Sequence, residues 1–424
     1  MERAKVIYGI DFGTSNSTLV VLDVAKNEAV AIFTVPSLLF FPDADRSTLN
    51  PHHLVGHDAV EGYVGNRMRG RFMKSIKKVL PNKRFSHTRI AGKNFTAEEL
   101  VSFVLSDLKA KADAHVGEDV KTAVIGRPVV FDSDPVTDKL AQSRLLKAAK
   151  MAGFEHVFFQ MEPIGAAFTY ERKITQDELV LVADFGGGTS DFSLMRLNPG
   201  SKNDPDRTKD MIAKGGIYIG GDNFDSSIMW ERGTPHFGKG LPYQSSPDKW
   251  LPVPVSFFHN ICTWERMNFF DSILIQRDVE NYYELSGKRV ELRNLLSLIQ
   301  NNLGYTIFQE IERAKIELSS APKTLFAFHR DEIDFDEEIT QVDFGNEIIH
   351  KDLDRILEYL NAFLVQSDVT VSQIDSVFMT GGTSRILPLR QRFEALFGPD
   401  KLRSGDDFNS VAIGLAYSYR LFGE

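Results

Sequence analysis

The sequence predicts an α/β protein built from two halves that open in the same way. Three observations carry that prediction. Strand-like and helix-like stretches alternate along the chain, the pattern of α/β folds. Residues 9–23, GIDFGTSNSTLVVLD, and 182–197, VADFGGGTSDFSLMRL, write one phrase twice: apolar strand, Asp-Phe-Gly, small hydroxyl residues, apolar strand. The chain has 424 residues, enough for two or more domains at roughly 100–200 residues each.

The elements follow in order. Residues 5–10 and 18–23 read as strands joined by the first Gly-rich turn. TVPSLLFFP (34–42) is an apolar, Pro-bounded segment, followed by a polar, His-containing loop to about residue 66. Thr96-Ala-Glu-Glu99 is a capping box opening a helix, with Phe95 placed to staple on Leu100. Leu100, Phe103, Val104 and Leu108 mark its apolar face. A buried-type strand at 120–126, a helix over about 135–152 and a strand at 156–162 come next. Pro163 then sits in the first turn of another helix. Residues 178–185 enter the second Gly-rich turn. MIAKGGIYIGGDNFD (211–225) is strand, glycine pair, then helix start at Asp222. Residues 232–262 are rich in Pro, Gly and aromatics and give no clear period. Leu295, Leu298, Ile299, Leu303, Ile307 and Ile311 predict a long helical stretch over about 291–319. DSVFMTGGTSR (375–385) repeats strand, glycine pair, helix start, and NSVAIGLAYSYRLF reads as the last helix.

Composition limits the partners. Apolar content of 42% is ordinary for a globular protein. Lys plus Arg number 49 against 58 Asp plus Glu, a net charge of −9. That balance argues against a sequence-independent grip on nucleic acid and against an electrostatic membrane anchor, although Arg67–Lys78 is locally basic. The single cysteine, Cys262, forms no internal disulfide and fits a reducing compartment. MERAKVIYG holds no signal-type apolar stretch, and no run approaches the roughly 18 apolar residues of a membrane span. A soluble, cytoplasmic protein is the expectation.

The repeated turns carry the chemistry. Gly13 lets the backbone fold tightly, and the N–H groups and hydroxyls of Thr14, Ser15 and Ser17 suit phosphate oxygens. Asp11 stands at a strand end, where a carboxylate holds Mg2+ through waters. Alone, this reads better as a hairpin turn of ordinary turn formers. The second copy, with Gly186, Gly187 and Gly188, Thr189, and the carboxylates Asp184 and Asp191, argues for close backbone approach by a ligand. Two facing turns would clamp one polyphosphate and one metal between two lobes. Thr380-Gly-Gly-Thr-Ser-Arg385, at a strand-to-helix junction, suits ribose or phosphate.

GIDFGTSNS, VADFGGGTSD, GGIYIGGDNFD, IERAKIELSS and FMTGGTSRI stand here in one order. That order resembles the nucleotide-binding half of the DnaK-type heat-shock chaperones, within the actin/hexokinase-like ATPase fold of duplicated ribonuclease-H-like domains. The likeness is weakest over about 226–300, and the short chain looks like a truncated, YegD-type member. The resemblance implies lobe I at 1–175 plus 402–424, with a subdomain inserted at about 37–100. Lobe II would be 176–401, with an insertion at about 220–348. It implies ATP or ADP with Mg2+ as ligand. Gly13, Thr14, Ser15 and Asn16 would hold the β- and γ-phosphates from one side, and Gly186, Gly187, Gly188 and Thr189 from the other. Asp11, Asp184 and Asp191 would serve the metal. Lys77, with Lys78 as fallback, matches the lysine near the γ-phosphate; Glu162 matches the acid that links metal waters to the attacking water. Pro128 matches a proline relaying nucleotide state. Gly220 and Gly221 would approach the α/β-phosphates. Glu312, Lys315 and Ser319, on one helix face, would bracket adenosine with Gly381, Gly382, Thr383 and Arg385.

Two departures touch the base: Ile316 stands where the family has an adenine-stacking arginine, and Phe408, beside Asp407, where it commonly has an aspartate. The given sequence ends at Glu424, before the family's linker and peptide-binding domain would begin. The expected activity is that of a switch ATPase with a chaperone-like role and an unidentified protein partner. A small-molecule kinase or an actin-like filament former on the same fold are the alternatives. His329-Arg-Asp331 with Asp343-Phe-Gly345 imitates kinase signatures without their surroundings. Gly233 to Lys239 nearly spells a P-loop, but Gly240 replaces the Ser/Thr. His52, His53 and His57 lie without other ligands at metal spacing. Trp230, Trp250 and Trp264 mark the divergent stretch as the place for private function, or for an enlarged core.

Overall fold

A computed structural model describes residues 5–42, 52–66, 69–132, 134–172, 174–200, 207–263, 266–267, 270, 272–404 and 409–422. Arg67, Trp264, Asp407 and Phe408 lie outside them. The chain forms two compact units. The first is Met1–Tyr218, Leu360–Ser384 and Leu396–Glu424; the second is Ile219–Tyr359 and Arg385–Ala395.

The first unit holds two five-stranded sheets of one design. In the first sheet the order is His156–Met161, Thr122–Arg127, Val6–Phe12, Asn16–Asp23, Glu28–Pro36. In the second it is Leu402–Ser404, Ser376–Thr380, Glu178–Phe185, Ser190–Leu197, Met211–Ile217. Each is a three-stranded antiparallel meander whose first strand also pairs in parallel with a later strand, and that one with another. The phrase written twice in the sequence is thus the opening hairpin of each sheet.

Period-two alternation sorts the first strand's side chains. Tyr8, Ile10 and Phe12 join a core with the helices Ala97–Val116 and Pro135–Met151, while Ile7 packs on the opposite face against Ala412 and Ala416. Asp11 shares that second face with Ile7 and Gly9. In the second sheet Asp184 shares a face with Val180 and Val182, and these two belong to a core containing Ile164, Ala167, Val411 and Leu415. The helices Glu162–Glu171 and Ser410–Tyr417 therefore contact both sheets. They cross where both are glycine: a Cβ on Gly414 would lie 1.7 Å from the Gly165 carbonyl oxygen. A Cβ on Gly9 would lie 2.5 Å from the Ala412 carbonyl oxygen, so the helix seats directly on the first strand.

Local signals explain many boundaries. Thr96 and Glu99 form the reciprocal capping box, and the helix ends at Gly117 in the left-handed region, φ 84°. Asp134 caps the next helix and Pro135 opens it. Two expectations fail. A helix, Gly56–Gly65, occupies the end of the stretch read as polar loop. The long helix divides into Val290–Gln300 and Gly304–Glu317, separated at Asn302 with φ 53°, a conformation asparagine tolerates better than most residues.

The second unit holds that helix pair, the hairpin Lys323–Arg330 with Ile333–Thr340, and the hairpin Pro242–Ser246 with Lys249–Pro252. The kinase-like triplet is the tip of the first hairpin, with Asp331 at φ 52°. The P-loop-like run is a 3-10 turn, Thr234–Phe237, followed by a hairpin. His53 stacks on Phe103 at 3.8 Å, and burial pushes its pKa down, as for a packed ring. Trp230 stacks on His259, whereas Trp250 is exposed. Cys262 is buried, and burial pushes its thiol up to about 12.

Candidate functional site

The two Gly-rich turns meet inside the first unit. Turn one, Gly13–Ser15, joins paired strands in which Asp11 faces Thr18. A Cβ on Gly13 would lie 2.1 Å from the Asn16 carbonyl oxygen, so only glycine closes this turn. Ser37 pins it: its hydroxyl donates to the Gly13 carbonyl at 2.8 Å, and its N–H donates to the Ser15 carbonyl at 2.8 Å. Turn two, Gly186–Thr189, closes with the Gly186 N–H donating to the Thr189 carbonyl at 2.9 Å. The Thr383 hydroxyl pins it by donating to the Gly186 carbonyl at 2.9 Å. A Cβ on Gly188 would lie 3.9 Å from the Thr14 methyl carbon and 3.8 Å from the Lys78 Nζ. Backbone of one turn thus comes within side-chain reach of the other.

Beneath the turns lies a carboxylate cluster around one lysine. Glu162, buried at the start of its helix, accepts from Lys77 Nζ at 2.8 Å. Asp184 faces Asp191 across the hairpin, and Asp191 accepts from the Thr189 hydroxyl at 2.8 Å. Gly216 leaves room for that carboxylate: a Cβ there would lie 2.3 Å from Asp191 Oδ1. Burial, and then the neighbouring Glu162, push Asp11 up to about 7 against the pull of Lys77. Burial, then Glu162, Asp11 and Asp191, hold Asp184 well above the usual carboxylate range. Burial, with Glu162 opposing the Thr189 hydrogen bond, brings Asp191 to about 6. Burial works against the Lys77 cation, but Glu162, Asp11 and Asp184 outweigh it and raise its pKa. Four carboxyl groups crowded round Lys77 are relieved either by holding protons, as the raised pKa values of the three aspartates indicate, or by a bound cation. Among the described residues, no three His, Cys, Asp or Glu side chains converge as direct metal ligands. A divalent cation at this cluster would have to be met through water by Asp11, Asp184 and Asp191.

Lys77, Glu162, Asp11, Asp184, Asp191, Thr189 and both phosphate-type turns are thus gathered at one place. Lys77 pairs with Glu162, and Lys78 reaches the second turn. Gly381 takes φ 82° beside Asp184, where a Cβ would lie 2.6 Å from its Oδ1; Gly382 and Thr383 open the following 3-10 turn. Gly220, Gly221, Glu312, Lys315, Ser319 and Arg385 belong to the second unit. There Lys315 pairs with Asp225 at 2.7 Å and donates to the Gly221 carbonyl at 3.3 Å. Glu312 is exposed, Ile316 is 62% exposed, and Ser319 lies just past the helix end. Sequence reasoning missed Ser37 and Gly216. Ser37 acts through tertiary contact; Gly216, in a Lys-Gly-Gly strand, was the one visible signal, since glycine inside a strand marks close approach.

No helix among the described residues is long and apolar enough to cross a membrane. A family model described as "Hsp70 protein" matches residues 7–232 and 289–421. The unmatched stretch between them contains the Pro242–Pro252 hairpin.

Proposed function

The chain belongs to the Hsp70 family, nucleotide-binding ATPases of the chaperone type with the two-lobed actin-like ATPase fold, and on that premise we propose that it is a Mg-ATP-dependent switch ATPase of the cytoplasm. The observation that carries the reading is the meeting of two glycine turns over the Lys77–Glu162 pair and three carboxyl groups. In this reading Gly13 to Asn16 and Gly186 to Thr189 supply N–H and hydroxyl donors to the β- and γ-phosphates. Mg2+, held through waters by Asp11, Asp184 and Asp191, neutralises phosphate charge. Lys77 supplies the positive charge at the γ-phosphoryl group, and Glu162, its hydrogen-bond partner, orients a water for attack. Phosphoryl transfer asks mainly for such positioning and charge neutralisation. Gly381, Gly382 and Thr383, beside Asp184 and the second turn, would serve the ribose or the phosphates. With Ile316 in place of a stacking cation, selectivity for adenine over guanine is expected to be modest. The nucleotide state would then govern a protein partner.

Calorimetric titration with ATP, ADP and GTP in Mg2+, with phosphate release measured alongside, tests this reading. The parent should bind and hydrolyse ATP without any added acceptor. Lys77→Ala should keep ADP binding and lose about 100-fold in hydrolysis, the usual scale for one charge-stabilising donor. Asp184→Asn should lose the Mg2+ dependence of binding. Absence of nucleotide heat from the parent at millimolar ligand would remove the basis of the assignment.

A further inference from the structure

We propose that Arg144 is a positioning residue for the Lys77 ammonium, acting through the strap of chain that carries it. The proposal rests on the role given to Lys77 above. Lys77 lies in a single 3-10 turn, Ile76–Val79, and so short a helix does not fix its own geometry. At its entry Ser75 is in the left-handed region, φ 59°, which non-glycine residues avoid. Its exit is gripped from outside. One terminal nitrogen of Arg144 donates to the carbonyls of Val79, Leu80 and Asn82 at 3.1, 2.9 and 3.0 Å. The other donates to the Phe85 carbonyl at 2.8 Å. The last carbonyls of a helical turn have no partner within it, and a guanidinium is a planar fork of five donors that can hold several at once.

Arg144 comes from the middle of Pro135–Met151, a helix anchored by buried Ala141, Leu145, Ala148 and Ala149. A second tie joins the strap to that helix, Lys83 with its cap residue Asp134. The same helix is also linked to the neighbourhood of Glu162. Arg127 pairs with Asp138 at 2.7 Å, and Gly126, beside Arg127, leaves only 3.1 Å between a built Cβ and the Glu162 Cγ. One helix thus references both partners of the Lys77–Glu162 pair. The strap's backbone sets where the Lys77 side chain starts, and the hydrogen bond to Glu162 holds its charged end, so the two together place the charge.

The test uses the full chain with Arg144→Gln and Arg144→Lys. It reads single-turnover ATP hydrolysis, calorimetric ATP and ADP affinity, and hydrogen–deuterium exchange. Arg144→Gln should slow hydrolysis about tenfold, a small displacement of a charge-bearing group being enough for this. ADP affinity should stay within about twofold of the parent. Exchange over 76–86 should rise while the Val6–Phe12 strand keeps its protection. Arg144→Lys, with one charge but no fork, should recover only part of the rate. On a Lys77→Ala background, Arg144→Gln should cost nothing further. Parent-like hydrolysis in Arg144→Gln, or an equal loss on both backgrounds, overturns the proposal. So does parallel loss of ADP affinity and rate. If Lys77→Ala alone leaves hydrolysis intact, the role of Lys77 fails instead. Exchange over 76–86 then decides whether Arg144 holds the strap.

Discussion

At the scale of single residues, the buried carboxyl cluster costs the fold stability when it ionises. Asp11, Asp184, Asp191 and Glu162 crowd round one ammonium, and the three aspartates are pushed up by burial and by neighbouring carboxylates. An aspartate in an unfolded chain titrates near 4. Between there and about 7, the folded protein therefore binds more protons than the unfolded one. By linkage, the contribution of Asp11 and Asp191 is fully present below about pH 4 and is lost as pH rises to about 6 for Asp191 and about 7 for Asp11, and that of Asp184 is lost in the same direction. The nucleotide-free protein should thus lose melting temperature between pH 5.5 and 7.5 by more than Asp184→Asn does, other groups being common to both. At pH 7.5 the variant should melt higher than its parent, by about 2 °C, and in the proposed function it should bind Mg-nucleotide worse, an exchange of stability against activity. Thermal melts of both proteins in chelator at the two pH values decide the matter. Parallel curves would mean that the carboxylates do not repel one another as the geometry indicates.

At the scale of elements, the sequence was most readable where a local rule governs. The two hairpins, the Thr96 capping box and Pro163 in a first turn each rest on residues a few positions apart. The helix Gly56–Gly65 was not readable: its glycines argue against a helix. Its buried face, Ala59 and Tyr63, is paired by tertiary contact, with Tyr63 against Phe40 and Phe72. The break at Asn301–Asn302 was visible as a pair of poor helix formers but was overridden by an unbroken apolar period. The hairpin Pro242–Pro252 lies in the stretch the family model leaves unmatched, and Tyr243 packs against the distant Tyr282. The site divides the same way. Its turns were legible, while the hydroxyls that pin them, those of Ser37 and Thr383, come from elsewhere in the chain. The glycine crossing of Glu162–Glu171 with Ser410–Tyr417 is the element-scale feature most open to trial. Gly414→Ala would place a methyl 1.7 Å from the Gly165 carbonyl oxygen, so the helices must part, at a cost of about 1–3 kcal/mol or more. Because Glu162 begins one of them, hydrolysis should fall together with melting temperature. Thr96→Ala, which removes a cap worth about 1 kcal/mol far from the turns, should lower the melting temperature alone. Equal melting of Gly414→Ala and parent would show that the crossing has slack the structure does not suggest.

At the scale of the molecule, one sheet design is used twice. Each sheet alone offers one glycine turn with its strand-end carboxyl groups, too little to hold a triphosphate. In the proposed function, two sheets brought together by shared helices would present two such ends to one ligand. The turns are separated by more than 170 residues of sequence, from Gly13 to Gly186, so a ligand that touches both links their stabilities. A ligand at about 100 times its dissociation constant adds roughly 2.7 kcal/mol to every opening that must release it, slowing exchange about 100-fold. Saturating Mg-ADP should therefore protect amides of Gly13–Asn16 and of Gly186–Thr189 together. Asp11→Asn, an alteration at the first turn, should reduce protection at the second by the same factor, because coupling through a common ligand is reciprocal. Hydrogen–deuterium exchange with peptide resolution reads both segments in one experiment. Protection confined to one turn, or an Asp11→Asn effect that stops at the first, would mean that each sheet acts alone. The duplicated architecture would then need another explanation.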